Sequence, residues 1–101
     1  MRTVEQRIYD GDQARLVLEN EAFAAAFADI KQEYTEAWKQ SPARDSEGRE
    51  KLYLMIKLSE KLEATLRAAM EDGRIAADHL RHLQSKQSML TKAKDAIGWE
   101  S

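Results

Sequence analysis

The sequence predicts an all-α protein, a long antiparallel helical hairpin followed by a basic C-terminal helix. Three observations predict it. Ala, Leu, Glu, Lys, Arg and Gln are abundant among the 101 residues, whereas glycine occurs four times and proline once; such a composition favours helix and offers few turns. Two apolar-striped segments of nearly equal length, 12–40 and 46–72, repeat apolar residues at steps of three and four. Between them lies one short joint, Ser41-Pro42-Ala43-Arg44-Asp45, where proline cannot continue a helix interior and biases Ser41 away from helical angles. At about 1.5 Å per residue, each arm would span about 40 Å.

In chain order, residues 1–10 form an N-terminal arm without sustained period. Val4, Ile8 and Tyr9 either make a helical turn folded back on the hairpin or belong to a mobile segment. Asp10-Gly11-Asp12 reads as a break, with Asp12 placed to cap the first amide hydrogens of the next helix. The hairpin then occupies 11–73. Its first arm carries the ladder Leu16, Asn20, Phe23, Phe27, Ile30, Tyr34 and Ala37 on one stripe, as in a coiled-coil seam. Asn20 is the polar member, either a register device or a wet residue at the open end. Trp38 stands at the closed end and is expected to cover it, and Ser41 or Asp45 would cap the second arm.

The second arm repeats the pattern through Leu52, Met55, Ser59, Leu62, Leu66 and Ala69, flanked by Ile56, Leu58 and Met70. Leu54, Ile56 and Leu58 spread wider than a two-helix seam needs, so they call for a further surface: the C-terminal segment or a second copy. Asp72-Gly73 is expected to end the arm, with Gly73 in the left-handed conformation that closes helices. Residues 74–101 form the third part, a helix to about Lys94 and a tail. Ile75, Leu80, Leu83 and Leu90 are its apolar residues, diluted by Gln84, Ser85, Gln87 and Ser88. Trp99 follows the breaker Gly98 and either packs back or anchors a partner.

The net charge of −2 conceals an asymmetry. Residues 1–73 carry 11 Lys and Arg against 15 Asp and Glu, whereas residues 74–94 carry Arg74, Arg81, Lys86, Lys92 and Lys94 against Asp78 alone. Those five cations, with Trp99, are the candidate partner contacts. The candidate core and oligomer seam is Leu16, Asn20, Phe23, Phe27, Ile30, Tyr34, Leu52, Met55, Ile56, Leu62 and Leu66. A single seam buries too little to offset an ordering cost of about 1–2 kcal/mol per residue. Self-association is therefore expected, most simply as a dimer whose hairpins form a four-helix bundle.

Several functions are disfavoured. No apolar run approaches the roughly 18 residues of a membrane span, and the first residues lack the apolar core of a signal peptide. Cysteine is absent, which removes disulfides and cysteinyl metal sites. His79 and His82, three apart, lack a third ligand at helical spacing and read as surface residues. No nucleophile triad, phosphate-binding loop or zinc-protease signature is present, and carboxylates such as Glu47 and Glu63 precede Lys51 and Arg67 by four, the pattern of a solvated helix. No enzymatic activity, cofactor or metal is expected. The acidic body opposes phosphate approach, so direct nucleic-acid binding is not expected either.

Three runs, Ala14-Arg-Leu-Val-Leu-Glu-Asn-Glu-Ala-Phe23, Trp38-Lys-Gln-Ser-Pro-Ala-Arg-Asp-Ser-Glu-Gly-Arg49 and Met70-Glu-Asp-Gly-Arg-Ile-Ala76, resemble a group of small, largely uncharacterised α-helical proteins of tailed phages and prophages. The resemblance covers about residues 10–83 and contains no catalytic motif. It implies a non-enzymatic assembly or adaptor protein of the virion or its morphogenesis, in the host bacterial cytoplasm or the particle, meeting another phage or host protein. Inhibition of a host defence or nucleic-acid-processing protein is the alternative, and a small DNA-packaging subunit a further one.

Overall fold

Thr3 begins the helical body with a reciprocal cap. Its Oγ1 accepts from Gln6 N at 3.1 Å, while Gln6 Oε1 accepts from Thr3 N at 3.0 Å, satisfying two amide hydrogens that a helix start would leave free. The computed structural model describes residues 2–96 and has three helices: α1 (Val4–Glu19), α2 (Glu21–Gln40) and α3 (Ser46–Ala96). The chain is all-α. Helices α2 and α3 form the expected hairpin across the joint 41–45, and α1 packs on the middle of α3.

Asn20 separates α1 from α2. Its backbone is extended (φ −70°, ψ 120°), and its Oδ1 accepts from Phe23 N at 2.8 Å, so it caps α2. The expected seam role for Asn20 is thereby corrected: a backbone amide claims its carboxamide. The break also shifts the phase of the ladder. Leu16, expected in the seam, is 53% exposed, because α1 turns a different stripe toward α3: Val4, Arg7, Gly11, Ala14 and Leu18, themselves at alternating steps of three and four.

Both glycines expected to punctuate the chain lie inside helices. Residues 4–10 belong to α1, so Asp12 caps nothing, and α3 runs through Gly73 for 51 residues without a boundary at 73–74. The two glycines meet instead. A Cβ built on either one would lie 2.7 Å from the Cα of the other, closer than real Cβ atoms come. With Ala14 and Ala76 beside them they are the buried residues of the described chain. The crossing is backbone against backbone, and its rim is closed by Arg7, whose Nε and Nη2 donate to Asp72 Oδ2 and Oδ1 at 3.0 and 2.8 Å.

The joint is as well built. Asp45 Oδ1 accepts from Gly48 N at 3.1 Å and caps α3, one of the two expected caps. Arg49 reaches back so that Nη1 donates to Trp38 O, Ser41 O and Ser41 Oγ at 3.2, 3.0 and 2.9 Å. Its guanidinium stacks 4.6 Å from the centre of the Trp38 ring. Trp38 covers the closed end as expected, half-buried under this arginine.

Candidate functional site

Phe23, Phe27, Tyr34 and Trp38 of α2 are half-buried against Leu52, Ile56, Ser59, Glu63 and Leu66 of α3, with the Phe23 and Phe27 rings stacked 5.8 Å apart. Of the expected seam, Ile30 on α2 and Met55 and Leu62 on α3 stand at the surface, and the inward steps of α3 fall on Leu52, Ile56, Ser59, Glu63 and Leu66. An ion pair also spans the two helices. Glu63 Oε2 accepts from Arg67 Nη2 at 3.1 Å and its Oε1 lies 3.6 Å from Lys31 Nζ. The Arg67 hydrogen bond foremost, with the Lys31 charge behind it, holds the Glu63 carboxyl below the ordinary carboxylate range. Lys31 also stands 5.9 Å over the Phe27 ring. This flank of the hairpin forms an open cleft of about 450 Å³ lined by Leu18, Phe27, Thr35 and the Lys31–Glu63–Arg67 group.

The opposite flank has no such cover. Leu54 with Met55, then Leu58, then Leu62 follow one another along α3, and they and Ile30 of α2 are all exposed, Leu58 by 62%. Polar groups are absent from these five side chains, so what this face can do is bury itself against another apolar surface. Just past Ile30, the outer side of α2 carries Asp29, Glu33 and Glu36 at steps of four and three, all exposed.

Beyond Leu80, opposite which α1 begins, α3 projects alone. Residues 81–95 are exposed throughout, including Leu83, Met89 and Leu90. The candidate cations divide here. Arg74 bonds to Glu71 and Asp78 on its own helix, and Arg81 bonds to Asp78, so their charge is largely spent locally. Lys86, Lys92 and Lys94 form no ion pair among the described residues. Trp99 lies outside the described residues. His79 and His82 are exposed on α3, and no group of three or more metal-ligating residues occurs among the described residues. Among the described residues, no helix is long and apolar enough to cross a membrane.

No protein-family model, curated protein or solved structure matches this chain. The geometry therefore carries the functional reading. What the sequence missed was the close crossing of α1 on α3. Its signal was present in the three-four spacing of Val4, Gly11, Ala14 and Leu18 against Gly73 and Ala76, small residues matched on both helices.

Proposed function

We propose that this is a non-enzymatic α-helical assembly or adaptor protein, phage-encoded as its sequence resemblance implies, acting in the virion or its morphogenesis through protein–protein contacts. One observation carries the reading: the bare apolar face of Ile30, Leu54, Met55, Leu58 and Leu62, on a body whose buried residues are glycine and alanine. Such a face costs stability in water and is repaid on association. The first partner is a second copy, in keeping with the symmetric assemblies that most helical oligomers form; another phage or host protein would then meet the assembled surface.

Sedimentation equilibrium in the micromolar range should give a dimer, and mass spectrometry of purified virions should find the chain in the particle. A monomer throughout would defeat the first part of the reading. Absence from particles, together with capture of a host nuclease or defence protein, would favour the inhibitor alternative. The acidic ladder Asp29, Glu33 and Glu36 supports that second reading, since three carboxylates on successive turns present a row of negative charge comparable to phosphates.

A further inference from the structure

We propose that the cleft on the Lys31 flank is a binding site for a small amphiphilic anion, of the class of a medium-chain carboxylic acid. None of the bare-face residues lines it, so the proposal stands apart from the self-association proposed above.

The lining changes character along α2. At one end lie Leu18 of α1 and Phe23, Ala24, Phe27 and Ala28 of α2. The two alanines, short side chains among longer ones, leave the space that a larger residue would fill. At the other end the lining turns polar, with Gln32, Thr35, Glu36 and Lys39. Lys31 stands between the two ends, half-buried and paired across to Glu63. The rise of α2 from Phe23 to Lys31 is about 12 Å, the length available to an apolar chain whose head lies at Lys31. The volume, about 450 Å³, falls within the roughly 300–1,000 Å³ of small-molecule sites, which are mostly apolar with a few placed polar groups.

Charge sets the sign of the head group. The lining holds three cations, Lys31, Lys39 and Arg67, against two carboxylates, Glu36 and Glu63. Lys39 pairs with Glu36 on its own helix, so the surplus falls on Lys31 and Arg67, which share Glu63. Lys31 Nζ is 3.6 Å from Glu63 Oε1, beyond ordinary hydrogen-bond length. Arg67 bonds to Glu63 through Nη2 alone. The ammonium hydrogens of Lys31, and Nε and Nη1 of Arg67, are therefore open to a second carboxylate. Bonds of this charge-assisted kind are stronger than neutral ones. One added carboxylate brings the group to neutrality, which selects a monoanion.

Sodium octanoate titrated into the isotope-labelled chain should give saturable amide shifts at Phe27, Ala28, Lys31 and Thr35, with a Kd below about 1 mM. Octan-1-ol, the same chain length without the charge, should bind at least about fivefold more weakly. Ala28→Leu fills the apolar end without touching the charges. Because Ala28 is exposed and leucine is a good helix former, this variant should keep the helicity of the parent. Its octanoate affinity should fall at least about tenfold. Arg67→Gln should lower octanoate affinity about fivefold and leave octan-1-ol binding unchanged. No saturable shift below that concentration, shifts confined to Leu54, Leu58 and Leu62, or equal binding of acid and alcohol would each overturn the proposal. So would an Ala28→Leu chain that binds octanoate like the parent.

Discussion

At Gly73 a single methyl group meets two opposing effects. In an isolated helix, alanine in place of glycine is worth about 1 kcal/mol through the smaller entropy loss of the backbone. Here the added Cβ would lie 2.7 Å from Gly11 Cα and 2.9 Å from Arg7 O, both backbone atoms that cannot swing aside. Overpacking of this kind costs about 1–3 kcal/mol or more, because whole helices must part. Gly73→Ala should therefore lower the denaturation midpoint, and a raised midpoint would mean that the helices do not touch there. The neighbouring ion pair adds a pH signature. The hydrogen bond from Arg7, then its charge, holds the Asp72 carboxyl below its ordinary range. A depressed carboxyl contributes stability that is fully present above its unfolded value and is lost as pH falls through its folded one. Melting temperatures measured downward from about pH 4 should fall less steeply in Asp72→Asn than in the parent chain.

At the scale of the element, Asn20 decides how many helices the first half of the chain makes. Asn20→Ala removes the acceptor of Phe23 N and should destabilise the fold by about 1 kcal/mol, whereas Asn20→Ser should retain most of the cap. A seam position would respond with the opposite sign, alanine being the better residue against an apolar neighbour, so the direction of the change in a urea melt separates the two roles. Phe27 tests α2 in the same way. A fully buried phenylalanine costs about 3–5 kcal/mol on truncation to alanine. Phe27 is half-buried between its stacked partner Phe23 and Lys31, and Phe27→Ala should cost about half of that. A loss near the full value would place a further surface over its ring.

For the whole molecule, shape governs stability. The radius of gyration is 23.3 Å and the long axis 85 Å, against a radius of about 13 Å for a compact chain of this length. A body so extended cannot enclose a large apolar core, and its closest packing is between Gly11 and Gly73. Its stability should then depend on association. The melting temperature should rise with protein concentration, since a partner that binds only the folded chain stabilises it by mass action. Calorimetry over a hundredfold dilution checks this, and a midpoint independent of concentration would mean that the single chain is sufficient.

Local signals determined much of this architecture without reference to any neighbour. Helical composition, the three-four periodicity of both arms and the Ser41–Asp45 joint rest on propensity, periodicity and the geometry of proline, although the ladders read through Ile30, Met55 and Leu62 chose residues that lie at the surface. These are properties of a few adjacent residues. The meaning of Gly11, Gly73 and Asn20 was not of that kind. A glycine between aspartates is equally consistent with a helix end and with a close crossing, and only a second helix at contact distance makes it the latter. Asn20 is the converse: the regular spacing of Leu16 and Phe23 favours a continuous stripe, until α1 finds better packing on α3 with its small-residue side and the chain must break to permit it. Tertiary structure settled these points because each depends on residues tens of positions away, where periodicity within one helix carries no information.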